Sequence, residues 1–233
     1  MISMPYPRLL AFAITIAIAL ILVPAAARAQ NETSWYPLKA EDGSPVVNYR
    51  IPVELESEIE KLPGIVIVGN PHGDVTLTEF YDLNCPYCKK AARDVADLVK
   101  SDPELRLILV PFPVLGVPSI QAGRVELALA KLATPQQFFE FNHRIFAKRG
   151  VIDGTRALAI AKGLGFPSDK LIKVADEDAV TKTMIANVQL GNSLGLAATP
   201  AFIIKGAAIL GYPGKKTIAE VIKSIRTCDK IVC

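Results

Sequence analysis

Cys85 and Cys88 stand two residues apart in the stretch LNCPYCKK, with Pro86 and Tyr87 between them. Thiols at this spacing suit three kinds of chemistry. They are half of a tetrahedral metal site if a second ligand pair exists. They are a structural staple if oxidised for good, although closing so small a loop removes little entropy from the unfolded chain. They are a redox couple if one sulfur attacks as a thiolate and the other resolves the mixed disulfide. The remaining cysteines, Cys228 and Cys233, lie about 140 residues further on at the chain terminus, and the proline inside the first pair does not favour a metal knuckle. The redox reading is the one that gives each neighbour a task. A Cys85 that closes a strand-to-helix turn has its sulfur at a helix N-terminus, where unpaired N–H groups and the macrodipole favour an anion. Pro86 is tolerated in a first turn, Lys89 and Lys90 add a small positive field, and Cys88 sits one turn on, better shielded. Four cysteines can pair in three ways; the spacing favours Cys85 with Cys88 and Cys228 with Cys233.

The elements that would position these sulfurs are readable around them. DVTLTEFY reads as a strand over 75–81, rich in β-branched and aromatic residues. Glu79, six residues before Cys85, shares a strand face with Val75 and Leu77 and so points towards apolar packing. Buried there, its pKa rises and it can exchange a proton with the leaving sulfur of Cys88; on an edge strand it would instead be solvated. CPYCKKAARDVADLVKSDP then has helical periodicity, with Ala91, Val95, Leu98 and Val99 as the buried stripe, stopping near Ser101 ahead of Pro103. ELRLILVPF is a second, nearly all-apolar strand, which makes a parallel βαβ unit. The segments 119–133, 135–147, 155–164, 168–175 and 180–194 all read as helices. AFIIKGAAILGY is a hairpin around Lys205-Gly206, followed by a closing helix over 217–226.

The fold class expected is therefore α/β. One domain is formed by 69–113 and 195–233, and an inserted helical domain by 114–194. Residues 30–68 read as an N-terminal extension, turn-rich except for one short helix with Ile51, Leu55, Ile59 and Leu62 on a stripe. That helix either packs on its own domain or serves as an oligomerisation arm.

Arg8, the apolar run 9–23 and the exit Ala27-Arg28-Ala29 describe a secretory signal over 1–29, cleaved after Ala29. An uncleaved N-terminal anchor is the alternative. Removing this segment takes away two arginines from the 26 basic side chains and none of the 23 acidic ones, so the mature chain is nearly neutral. No Lys/Arg block is interleaved with aromatics, and nucleic acid is excluded as a partner. His72 and His143 are remote from Cys85 in sequence, which argues against a Cys–His hydrolase. No metal and no cofactor enters this reading.

EFYDLNCPYCKK, with GNPHGDVTLTEF before it, PFPVLG after the second strand and GLAATPAFIIKG near the end, resembles the DsbA-like thiol–disulfide oxidoreductases of the bacterial envelope. The resemblance implies a thioredoxin fold with an inserted helical domain and a periplasmic location. It implies that exported proteins with thiols or disulfides are the partners, with a membrane redox partner for recycling. It also implies that Pro200 is cis and that the Thr199-Pro200 loop faces the cysteine pair, leaving the Thr199 backbone to pair with an extended substrate segment. Pro86 and Tyr87, the dipeptide between the cysteines, would share in substrate contact and tune the thiolate. Two departures stand out. Tyr87 occupies a position where many members have histidine, and Cys228 and Cys233 are not required by the family pattern. The latter pair is either a local staple or a relay to Cys85–Cys88.

Overall fold

The computed structural model describes residues 35–233, so the expected signal at 1–29 lies outside the described residues. In chain order the elements are β1 (Asn48–Arg50), α1 (Val53–Ile59), β2 (Val66–Gly69), β3 (Val75–Tyr81), α2 (Pro86–Ser101) and β4 (Leu105–Pro111). Then follow the helices α3 (Val117–Leu132), α4 (Pro135–Phe146), α5 (Gly154–Lys162), α6 (Ser168–Ala175) and α7 (Asp178–Ser193). The chain returns to the sheet with β5 (Ala201–Ile204) and β6 (Ala207–Leu210) and closes with α8 (Lys215–Cys228). The six strands form one sheet in the order β1-β6-β5-β3-β4-β2. Only β3 and β4 run parallel, joined by α2, and the other neighbours are antiparallel. This is the thioredoxin fold with a helical insertion between β4 and β5.

β3 is central, paired with β4 on one side and β5 on the other. Its alternation divides the core. Val75, Leu77 and Tyr81 face a cluster with Ala91 and Val95 of α2 and Ile218 and Val221 of α8. Phe80 faces a second cluster, where Ile108, Ile203, Leu190 and Leu194 pack. Burying both faces of the central strands is why FII at 202–204 and LILV at 107–110 read as unbroken apolar runs.

Residues 30–68, expected as an N-terminal extension with one short helix, also contribute both edge strands of the sheet. β1 pairs with β6 and β2 with β4. The expected helical stripe is shorter than its periodicity suggested, because α1 opens after Pro52 and spans 7 residues. Ile51 and Ile59 are nevertheless buried, with Leu55 and Leu62 against the same cluster, so the stripe packs on the chain's own sheet.

The insertion is anchored where α7 crosses β4. Asn187 donates to the Pro111 carbonyl at 2.9 Å, and a Cβ on Gly191 would meet the Phe112 ring at 2.5 Å. Phe112 is itself locked edge-on against Phe80, ring centroids 5.8 Å apart. Gly191→Ala should therefore lower stability by about 1–3 kcal/mol through overpacking, read as a lower urea midpoint with unchanged slope.

Candidate active site

β3 delivers the chain into a tight turn that Asp82 organises. Its buried carboxylate accepts from the Asn84 N–H at 2.7 Å, the Ser119 hydroxyl at 2.7 Å, and the N–H groups of Val114 and Leu115 at 2.8 and 2.9 Å. The Asp82 carbonyl accepts from the Cys85 N–H at 3.0 Å. Asn84 reaches the insertion, bonding the Ile152 carbonyl at 2.8 Å and N–H at 2.7 Å. Cys85 is then the N-cap of α2 with extended backbone angles, φ −76° and ψ 122°, and Pro86 follows in the first turn. The Cys88 N–H points at Cys85 Sγ from 3.4 Å.

Both cysteines are buried and free. From the other side Cys85 Sγ meets the loop before β5. Thr199–Pro200 is cis, and the thiol form of Cys85 donates to the Thr199 carbonyl across 3.0 Å. Pro200 is buried and Thr199 half-buried, whereas Pro86 and Tyr87 stand exposed beside the sulfur.

The electrostatics of the three titratable groups diverge. The Cys85 thiol is lowered to about 6, chiefly because the Cys88 thiol donates to it, with Thr199 and the Cys88 and Tyr87 N–H groups adding and burial opposing. The helix-end amides expected to hold the thiolate thus come second to the partner sulfur. The Cys88 thiol is pushed far up, first by burial and then by its bond to Cys85 and the charge of Glu79. Glu79 is raised to about 8 by burial, then by the negative Cys85. Its register explains this: Glu79 lies between Leu109 of β4 and Phe202 of β5, with only 3% of its surface exposed. The arrangement favours one charge on Cys85 and neutral forms of Cys88 and Glu79.

Cys228 and Cys233 form a disulfide at the end of α8. Arg226 bonds Asp102, the C-cap of α2, at 2.7 Å, so this disulfide lies at the opposite end of α2 from Cys85. Sixteen helical residues amount to roughly 24 Å. The structure does not bring the second pair to the first, and the direct-relay idea fails on distance. His72 lies in the turn before β3, also remote, and His143 is exposed on α4.

Sequence reasoning missed Asp82 and a second buried acid. Glu126, on the buried side of α3, accepts from the Tyr81 hydroxyl at 2.7 Å. Burial raises it to about 8 against that bond, with Asp82 adding and Asn142 opposing. The signal available was an acid inside the apolar run VELALA. For Asp82 it was an aspartate two residues before an asparagine at a strand end, an Asx-turn pattern.

A family model described as Thioredoxin matches residues 61–224. Among solved structures the chain is similar to a thioredoxin-like oxidoreductase from Silicibacter pomeroyi, at 30% identity and TM-score 0.68 over 74% of this chain and 98% of that one. It is similar to a periplasmic thioredoxin-like protein from Salmonella enterica serovar Typhimurium at 27% identity and TM-score 0.66, covering 75% and 97% respectively. The thiol-disulfide exchange protein alpha-DsbA2 from Wolbachia pipientis, 21% identical, shares the fold at TM-score 0.68 over 74% and 93% of the two chains. A curated relative, the Na(+)/H(+) antiporter NhaA of Herminiimonas arsenicoxydans, is 24% identical over 178 residues, 76% of this chain. The chain spans 28% of that antiporter's length.

Glu126 sets a pH test of stability. Its folded pKa of about 8 lies above the ordinary carboxyl value of 4.5, so the folded state holds a proton that the unfolded state has lost. Its contribution is full below about pH 4.5 and is lost as pH rises towards 8. Glu79 acts in the same sense, and Cys85, lowered from 9 to about 6, in the opposite sense above pH 6. Urea melts of Glu126→Gln should show a smaller loss of stability from pH 5 to 8 than the parent; an equal loss would mean that Glu126 is ionised in the fold.

Proposed function

The chain belongs to the thioredoxin family as a DsbA-like, thioredoxin-fold oxidoreductase, and from that premise we propose that it exchanges disulfides with exported proteins through Cys85 and Cys88, acting as an oxidant. The observation that carries the reading is two free, buried thiols on one helical turn, with Cys85 as the N-cap of α2 between the Cys88 N–H at 3.4 Å and the Thr199 carbonyl of the cis Thr199-Pro200 loop at 3.0 Å.

In the oxidised form a substrate thiolate attacks Cys85 Sγ, and the Cys85–Cys88 bond breaks. The electron pair leaves on Cys88, which takes the proton held by Glu79. The substrate cysteine, now joined to Cys85, lies against the Thr199-Pro200 loop, with Pro86 and Tyr87 at the exposed lip. A second substrate thiolate attacks the substrate sulfur of the mixed disulfide, and Cys85 departs as a thiolate. One substrate disulfide has formed, and Cys85 and Cys88 are reduced. Glu79 regains its proton through the solvent, and a membrane-bound disulfide donor reoxidises the pair. The oxidant direction is supported by the leaving group: a stabilised Cys85 thiolate stabilises the reduced protein and makes its disulfide more oxidising.

The site of action proposed is the periplasm, reached through cleavage after Ala29. Export is tested by N-terminal sequencing of the processed protein, which should begin at Gln30.

Equilibration in glutathione buffers, with thiols counted by mass after alkylation, should give a potential above the roughly −270 mV of thioredoxin. A value at or below that figure would reverse the direction, to reductase. Cys85→Ser should abolish exchange and Cys88→Ser should accumulate the mixed disulfide. Glu79→Gln should slow reduction of the Cys85–Cys88 disulfide by a peptide thiol by about tenfold or more; an unchanged rate with an intact fold removes Glu79 from the mechanism.

A further inference from the structure

Between α4 and α5 a cavity of about 530 Å³ opens on the insertion, lined by His143, Arg144, Lys148 and Arg156 over an apolar floor of Ala147, Ala159 and Ile160. No acidic residue lines it; Glu140, 2.6 Å from Arg144, is the one carboxylate paired with its rim. The charge is concentrated there. Residues 140–163 hold five lysines and arginines against two acids, an excess of three, whereas residues 35–233 together hold 24 against 22.

Basic side chains often do no more than offset the carbonyls at a helix C-terminus. That accounts for Arg144, in the last turn of α4, and Lys162, in the last turn of α5. It does not account for Arg156, in the first turn of α5. The Arg156 guanidinium is clasped by the preceding loop, donating to the Val151 carbonyl at 2.8 Å and the Arg149 carbonyl at 2.7 Å. Gly150 has φ +79°, and a Cβ there would lie 3.1 Å from the guanidinium, so the loop wraps closely enough to fix it. A cation held in place before binding loses little side-chain freedom on meeting an anion.

The cavity's lip is tied to the reacting helix. The Lys148 carbonyl accepts from Lys89, one turn beyond Cys85, and Ile152 is bonded through both backbone groups to Asn84, the residue before Cys85. We infer that this cavity receives an acidic segment of the polypeptide whose cysteine is joined to Cys85, seating it on Lys148 and Arg156. The inference rests on the exchange reading and adds a substrate class to it. Extended chain covers about 3.3 Å per residue, so a cavity one helical turn and one side chain from the sulfur is reached roughly four to six residues from the substrate cysteine. The apolar floor takes the methylenes of a glutamate, and its concave shape suits a strand-like segment better than a flat membrane surface.

The test uses the full oxidised protein and two dithiol peptides, identical except for paired glutamates or paired lysines about five residues from the reacting cysteine. Rates are normalised to that with dithiothreitol, which is uncharged and small. The parent protein should prefer the acidic peptide about tenfold in kcat/KM at low salt, and the preference should fall towards unity in 0.5 M salt, about where screening reaches a few ångströms. Lys148→Glu should abolish or invert it, as should the milder Lys148→Gln in part. Equal rates for both peptides in the parent, or a preference that survives Lys148→Glu, overturns the inference while leaving exchange intact. No reaction with dithiothreitol would remove the exchange reading and this inference with it. Equal peptide rates together with sedimentation on phosphatidylglycerol vesicles, lost in Lys148→Glu, would assign the cations to a membrane surface and overturn the inference as well.

Discussion

A negative charge on Cys85 is tolerated in a largely apolar setting because the two groups nearest to it are kept neutral. Cys88 holds its proton because it is buried and turns that proton towards Cys85. Glu79 holds its own because it lies between Leu109 and Phe202 in the centre of the sheet. Placing charge on either neighbour would set two like charges in one low-dielectric space, where the repulsion is least screened. The site is therefore a set of three groups arranged around a single charge.

That arrangement needs a rigid frame, and the frame is polar. The Asp82 carboxylate draws the β3–α2 turn, the Val114–Leu115 loop and the start of α3 onto one point. Asn84 adds the Ile152 loop of the insertion. The insertion is thus bonded to the residues on which the reactive sulfur depends, rather than merely stacked on the sheet. A carboxylate accepting several N–H and O–H bonds makes a firm local anchor, and its loss would loosen both halves of the molecule at once.

Much of this was legible before any coordinates. The strand at 75–81, the helix that follows the cysteines and the five helices of the insertion announce themselves by period and by their Gly and Pro breaks. The face on which Glu79 lies was legible from its alternation with Val75 and Leu77, but whether its strand was central or an edge was set only by the pairing with β4 and β5. What escaped detection was short or non-local. β1 has 3 residues and β2 has 4, too few to show an alternation, and each is defined by a partner remote in sequence. The clasp around Arg156 and the Tyr81–Glu126 bond join residues whose proximity follows only from helix packing. The ranking of effects on Cys85 was likewise beyond the sequence, since it depends on which way the Cys88 thiol points.

The pairing of Phe80 with Ala201 and of Asn48 with Ile209 closes very long stretches of chain. During synthesis from the N-terminus, β3, α2 and β4 are complete well before β5 exists. Until then β3 is an open edge, and Glu79 on it still meets water. The cysteines are thus translated early, but the loop that meets Cys85 at the Thr199 carbonyl and the strand that covers Glu79 are supplied only by the last part of the chain.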